Sequence, residues 1–180
     1  MRHAILMFAV LTVIGQPIFA DELPSAPTGT FSIAVIPDTQ HYRGQKSNAQ
    51  PASLEPATNP VFKAYAGWVA GNLEKQRIAF VTHVGDIVDV NNREQWTVAR
   101  RIMDLLHGRV PYGISVGNHD MTRAGDSSLL QNFFPAKRLE KFDWYGGCFR
   151  KASGRPAVSG NNANSYQLFS AAKFNWKPFQ

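Results

Sequence analysis

Three short apolar runs, separated by two stretches with helical spacing, constrain this chain more than any other feature. The runs 31–36, 78–84 and 110–116 predict buried strands. Asn59-Pro60 opens the first helical stretch, because proline suits the first position of a helix. Strands that alternate with helices are typical of parallel βαβ units, so the sequence predicts an α/β fold.

The two helical stretches each carry an apolar stripe. In the first, the stripe is Val61, Tyr65, Trp68, Val69 and Leu73. In the second, over roughly 92–107, it is Trp96, Ala99, Met103 and Leu106. Right-handed crossovers would place both helices on the sheet faces. Long loops are predicted over 43–58 and 146–164, a short helix over 126–134, and further strands at 165–170 and 173–176.

The first twenty residues have the layout of a secretory signal peptide. Arg2 precedes the apolar run 4–14, and Ala20 offers a small residue at a cleavage point. The run is shorter than the roughly 20 residues that a bilayer span needs, so no membrane span is expected after cleavage. A buried core helix is the alternative interpretation. We expect a lead-in loop over 21–30 and a secreted or periplasmic product.

Composition and charge are those of an ordinary globular domain. Hydrophobic residues make up 44% of the chain and charged residues 18%, which excludes a disordered tract or a coiled coil. The lone Cys148 excludes an internal disulfide framework. The net charge is +6, but the basic residues are scattered and only Arg100 and Arg101 are adjacent. The charge therefore gives no indication of a nucleic-acid partner.

A polar cluster follows each predicted strand. The clusters are Pro37-Asp38-Thr39-Gln40-His41, Gly85-Asp86-Ile87-Val88-Asp89 and Gly117-Asn118-His119-Asp120. In open α/β sheets, ligands bind outside the carboxyl ends of the strands, where these clusters would converge. Carboxylate and amide oxygens are ligands for hard metal ions. Taken singly, each cluster is equally well explained as a strand-ending turn.

Together the three clusters resemble the first motifs of the calcineurin-like metallophosphoesterases, over roughly residues 31–122. The resemblance implies an α/β sandwich, of which this chain carries the amino-terminal βαβαβ half, and a binuclear metal centre that hydrolyses small phosphomonoesters or phosphodiesters. It implies metal ligation by Asp38, Gln40, Asp86 and Asn118, with Asp86 bridging two ions. It further implies that His119 contacts the substrate, that Asp120 orients His119, and that Asp89 braces its loop.

Two departures from the family pattern affect these expectations. Gln40 stands where the family usually has histidine, which favours Mn or Fe among the candidate ions Mn, Fe, Zn and Ni. No histidine follows His119, although the family completes its site with later histidines. We therefore expect the domain, assigned to 31–180, to be incomplete at its carboxyl end. The alternative to an enzyme is a catalytically incomplete fragment or a phosphate-binding remnant.

The remaining reactive side chains are expected to be structural. His41 is interpreted as a solvent-facing loop residue, and His83 as a hydrogen-bonded core histidine. His107 is expected to cap a helix, where a cation is favoured by the helix dipole. Cys148 has no basic neighbour that would lower its pKa, so we expect a packed thiol.

Overall fold

The computed structural model describes residues 23–145, and all structural statements below refer to that part of the chain. Its strands are β1 (Ser32–Ile36), β2 (Ile78–His83) and β3 (Tyr112–Ile114). Its helices are α1 (Pro60–Gly71), α2 (Arg93–Met103) and α3 (Ser128–Phe133), followed by a 3₁₀ turn at Ala136–Arg138. The predicted strands at 165–170 and 173–176, the signal peptide and Cys148 lie outside the described residues.

The three strands form one parallel sheet in the order β1-β2-β3. The predicted βαβαβ order is therefore confirmed. β3 is shorter than the apolar run 110–116 that predicted it. Residues 43–58 form the expected loop, which an isolated antiparallel bridge between Arg43 and Thr58 closes at its base.

Both helices begin at an asparagine cap. The Asn59 side chain accepts a hydrogen bond from the backbone N–H of Phe62 at 2.9 Å, and the Asn92 side chain accepts one from Gln95 at 2.9 Å. Each cap satisfies an N–H that the first helical turn leaves without a partner. α2 ends at Met103, earlier than the stripe through Leu106 suggested, although Leu106 is buried as expected.

The stripe predicted for α1 is wrong at its aromatic positions. Tyr65 and Trp68 are 41% and 46% exposed. The helix instead buries Phe62, Ala66, Val69 and Ala70. Small side chains on this stripe allow the helix to pack closely in the core.

The core lies on the helical side of the sheet. α1 and α2 contact each other and α1 contacts β1, so the helices share one face rather than covering both. The prediction of a buried strand over 31–36 is therefore wrong for one face of β1. Ile36 is buried, whereas Ile33 and Val35, on the face that no helix of residues 23–145 covers, are 56% and 60% exposed. Within residues 23–145, no helix has the length and apolar character needed to cross a bilayer.

Candidate metal centre at the carboxyl edge of the sheet

The register of the sheet brings the ends of the three strands together. Ile36 pairs with His83, and His83 pairs with Ile114. The polar segments that follow these residues therefore leave the sheet at one edge. We call them motif loop 1 (residues 37–41), motif loop 2 (85–89) and motif loop 3 (117–120).

Asp86 connects all three motif loops. Its backbone carbonyl accepts a hydrogen bond from the Thr39 N–H at 3.1 Å, and its Oδ1 accepts one from the His119 N–H at 2.9 Å. Asp86 has a φ of 51°, in the left-handed region that aspartate and asparagine tolerate better than most residues. This backbone turn holds a half-buried carboxylate between motif loops 1 and 3.

Glycines allow motif loops 2 and 3 to approach this closely. A Cβ atom at Gly117 would lie 2.1 Å from Asp86 Oδ1, and one at Gly85 would lie 2.7 Å from the Gly117 nitrogen. Gly85 also has a φ of 102°, which glycine adopts without steric cost. Any larger residue at position 117 would push the Asp86 carboxylate out of place.

Asp38 is exposed at the end of β1, and Gln40 folds back onto it. The Gln40 backbone N–H donates to Asp38 Oδ1 at 2.9 Å, and the Gln40 Nε2 donates to Asp38 Oδ2 at 2.7 Å. A cation bound here would favour the Gln40 amide oxygen over the NH₂ group. The side-chain amide would then rotate and give up its bond to Asp38.

The donors at this edge suit a hard cation. Asp38 and Asp86 supply carboxylates, and Gln40 and Asn118 supply amide oxygens, with Asn118 exposed to solvent. Oxygen donors of this kind match Mn²⁺ or Fe²⁺ better than soft ions. Among residues 23–145, no group of three or more His, Cys, Asp or Glu side chains is placed to hold a metal ion. The described donors therefore fit a partial coordination shell.

His119 is held by a backbone carbonyl. Its Nδ1 lies 2.7 Å from the Asp89 carbonyl oxygen. A carbonyl oxygen accepts but cannot donate, so Nδ1 carries the single N–H of the neutral ring. Nε2 is then the nitrogen on which a second proton would be bound and exchanged. The half-buried ring of His119 is thus fixed in one tautomer at the edge where the candidate ligands meet.

Comparison with known proteins identifies the family of this chain. A family model described as calcineurin-like phosphoesterase matches residues 31–177. The chain belongs to the calcineurin-like phosphoesterase family. Members of this family hydrolyse phosphoesters with the help of metal ions. The fold predicted from the three motifs is confirmed by this match and by the parallel sheet.

The chain is also similar to a larger protein of Bacillus subtilis (strain 168), "Uncharacterized protein YvnB". The two are 30% identical over 152 residues, which cover 83% of this chain and 11% of that protein. The chain therefore spans about a tenth of the length of this relative.

In this calcineurin-like domain, Asp120 does not orient His119 as the resemblance implied. Its buried carboxylate accepts from the backbone N–H groups of Ile87 and Val88 through Oδ1, at 2.8 and 3.2 Å, and from Gly117 through Oδ2, at 2.9 Å. Burial raises the pKa of Asp120 to about 6, against the opposing effect of these donors. Asp120 is a clamp between motif loops 2 and 3, and the Asp89 carbonyl orients His119 instead.

The Asp89 carboxylate braces the 43–58 loop, in agreement with the expectation that Asp89 has a structural role. It accepts from the Asn48 backbone N–H and from Asn48 Nδ2, both at 2.6 Å. Asp89 thus connects the long loop to His119, through its side chain on one side and its carbonyl on the other.

The other histidines stay outside the site. His83 is fully buried, with Nε2 3.0 Å from Thr39 Oγ1 and Nδ1 accepting from the Gly85 N–H, so neither nitrogen is free for a metal. His41 is exposed, as expected. The capping role expected for His107 is wrong, because α2 ends four residues earlier and the ring packs against Phe142 and bonds to Tyr112.

Gln95 and Asn59 were not among the candidates from the sequence. Gln95 is fully buried and its side chain bonds to motif loop 2. Asn59 Nδ2 donates to the Thr39 carbonyl in motif loop 1 at 2.6 Å. The spacing Asn92-x-x-Gln95 matches that of a helix capping box, and this is the sequence signal that could have drawn attention to Gln95.

A groove of about 560 Å³ lies between α1 and α2, away from these donors. Lys63 and Arg101 line it together with apolar residues of α2. None of the six predicted site residues lines it, so this groove does not mark the candidate metal centre.

Proposed function

We propose that this chain hydrolyses small phosphate esters at a binuclear metal centre on the carboxyl edge of its sheet. Asp38 and Gln40 would hold one ion, Asn118 the other, and Asp86 would bridge them. The observation that carries the proposal is the position of Asp86, which accepts hydrogen bonds from motif loop 1 through its backbone carbonyl and from motif loop 3 through its carboxylate. Bound ions would neutralise phosphate charge and lower the pKa of an attacking water.

The residues of the chain contribute charge balance and proton transfer. Asp38 and Asp86 offset the positive charge of bound cations. His119 keeps one proton on Nδ1, where the Asp89 carbonyl accepts it at 2.7 Å. When Nε2 is also protonated, it would donate that proton to the leaving-group oxygen as the P–O bond breaks, so that the leaving group departs as an alcohol. General-acid assistance of this kind typically contributes about 10²–10⁴-fold in rate.

Access to the site favours a small ester that approaches from solvent. Asp38 and Asn118 are both exposed, whereas the clamp residue Asp120 behind them is buried. The ester would therefore meet the oxygen donors at the surface. Both phosphomonoesters and phosphodiesters are compatible with such an open edge.

Hydrolysis of p-nitrophenyl phosphate and bis(p-nitrophenyl) phosphate, with added Mn²⁺ or with EDTA, tests the proposal. We expect turnover with Mn²⁺ that EDTA abolishes.

Asp86→Asn should lose bound metal and lower kcat/KM by about 100-fold or more, because one carboxylate would serve both ions. His119→Gln should lower kcat about 100-fold while metal content, measured by elemental analysis, is retained.

Asp143→Asn is the matched control, since it removes the same charge at an exposed position outside the motif loops. It should leave metal content and turnover unchanged.

Gln40→His should reduce metal binding less than Asp86→Asn does. It should also tighten the binding of Zn²⁺ at the first metal site, because imidazole is a good ligand for that ion. Full metal stoichiometry in Asp86→Asn would contradict the bridging role.

The proposal extends to export of the protein. It is supported by the order of Arg2, the apolar run 4–14 and Ala20. Expression of the full chain in a host with a secretion pathway should yield a product that begins near Asp21. Amino-terminal sequencing of the exported and the cell-associated fractions tests this, and a soluble product that retains Met1 would contradict it.

A further inference from the structure

The peptide unit between Asp89 and Val90 is bonded at both ends. Its carbonyl, from Asp89, accepts from His119 Nδ1 at 2.7 Å. Its N–H, from Val90, donates to Gln95 Oε1 at 2.9 Å. The peptide group is planar, and its C=O and N–H point in opposite directions. Fixing the N–H therefore fixes the direction in which the carbonyl points at His119.

The Gln95 side chain is itself tightly held. It is fully buried, and its Oε1 also accepts from the Asp89 N–H at 2.8 Å. Its Nε2 donates to the Lys46 carbonyl at 3.2 Å. The backbone N–H of Gln95 is bound by the helix cap Asn92 at 2.9 Å. Each side-chain polar atom is thus satisfied, which leaves the amide one low-energy orientation.

We infer that Gln95 is a positioning residue for His119. Through the Asp89–Val90 peptide, it fixes the carbonyl that holds the proton on Nδ1, and so directs the exchangeable proton to Nε2. The inference rests on the proposed role of His119 in hydrolysis. α2 thereby takes part in the reaction, although none of its side chains needs to contact the substrate.

The tautomer of His119 can be measured without any activity, by long-range ¹H–¹⁵N NMR on metal-free protein at mildly alkaline pH. Wild type should show a proton on Nδ1. Gln95→Met keeps the length of the side chain but has no acceptor for the Val90 N–H. In this variant we expect the Nδ1-H signal to weaken and the Nε2-H signal to appear, as in a mixture of both tautomers.

Two further variants separate positioning from general destabilisation. Gln95→Glu keeps an acceptor for the Val90 N–H and should retain the Nδ1-H tautomer. Tyr42→Phe removes the hydroxyl that donates to the Gln95 backbone carbonyl at 3.4 Å and leaves the side-chain amide untouched. It should also retain the tautomer, even where it lowers stability.

Kinetics provide a second readout on the metal-loaded protein. Gln95→Met should lower kcat about tenfold with little change in KM, because proton transfer suffers and substrate binding does not.

A folded Gln95→Met that keeps the Nδ1-H tautomer would overturn the inference. So would loss of the tautomer in Gln95→Glu, or an equal loss in Tyr42→Phe. If Gln95→Met does not fold, the Gln95→Glu result decides alone. Because the tautomer is read in metal-free protein, these outcomes are independent of whether the chain hydrolyses phosphate esters.

Discussion

At the scale of single residues, the motif side chains have structural roles as well as proposed chemical ones. Asp120 illustrates this, since its carboxylate takes three backbone N–H groups from two motif loops. The sequence places Asp120 beside His119, which suggested direct contact. The partner of a buried carboxylate depends on which N–H groups the loops leave without partners, and loop paths of this kind cannot be read from residue types.

His83 is the opposite case, because its character was predicted from the sequence. It ends an apolar strand, and a polar ring in that position must find hydrogen bonds within the core. The ring packs edge-on against Phe62 and bonds to Thr39 and Gly85. Which partners it finds required the structure, since Thr39 lies 44 residues earlier in the chain.

Burial lowers the pKa of His83 from 6.5 to about 4, with a smaller opposing effect from Asp38. Between about pH 6.5 and pH 4, His83 therefore binds a proton in the unfolded chain but not in the folded chain. Protonation of the unfolded chain lowers the free energy of unfolding as the pH falls from 6.5 toward 4, by about 3 kcal/mol in all. Urea unfolding across this range, with EDTA, measures it.

His83→Gln is the comparison that isolates this effect. The raised pKa of Asp120, about 6, changes stability in the opposite direction between about pH 4 and 6, but it does so in both proteins. The stability difference between wild type and His83→Gln should therefore shrink as the pH falls. A difference that stays constant from pH 7 to pH 4 would show that His83 is not held neutral.

At the scale of elements, the order of strands and helices followed from the sequence, while the face of α1 did not. Two apolar stripes run along this helix, one through Tyr65 and Trp68 and one through Phe62 and Ala66. Hydrophobic content favours the aromatic stripe. Packing favours the other, because alanine lets a helix approach its neighbours closely, and only three-dimensional packing decides between two such stripes.

The packing of α1 predicts that substitutions at two adjacent positions differ in their effect on the free energy of unfolding. Ala66 is fully buried, so Ala66→Leu should lower the free energy of unfolding by about 1–3 kcal/mol through overpacking. Tyr65 is 41% exposed, so Tyr65→Leu should change it by roughly 0.5 kcal/mol or less. Chemical denaturation of both variants compares them directly. A larger loss in Tyr65→Leu would mean that the aromatic stripe faces the core after all.

At the scale of the whole molecule, sequence periodicity was sufficient for the parallel sheet and for the edge where the motifs meet. The convergence follows from the register that aligns Ile36, His83 and Ile114. The bonding within that edge was less predictable. Asp89 contacts Asn48, which lies 41 residues earlier in the chain, and Gln95, which lies six residues later. Neither pairing is given by the residue types alone.

The candidate ligands come from three separate loops, so metal binding should stabilise the whole fold. A ligand that binds only the folded state adds about 2.7 kcal/mol at a concentration 100 times its Kd. Mn²⁺ should therefore raise the Tm of wild type relative to protein in EDTA. The same rise is expected for Asp143→Asn, which keeps every candidate ligand.

Asp86→Asn should lose this rise in Tm while remaining folded. Asparagine tolerates the φ of 51° at this position, and its Oδ1 can still accept from the His119 N–H. The metal-free variant should thus unfold within about 1 kcal/mol of wild type, since its backbone and its bond to motif loop 3 are preserved. Thermal unfolding of the three proteins, each with Mn²⁺ and with EDTA, separates the two effects. If Mn²⁺ raised the Tm of Asp86→Asn as much as that of wild type, the ion would bind elsewhere on the protein, and Asp86 would not be the carboxylate that joins the motif loops around it.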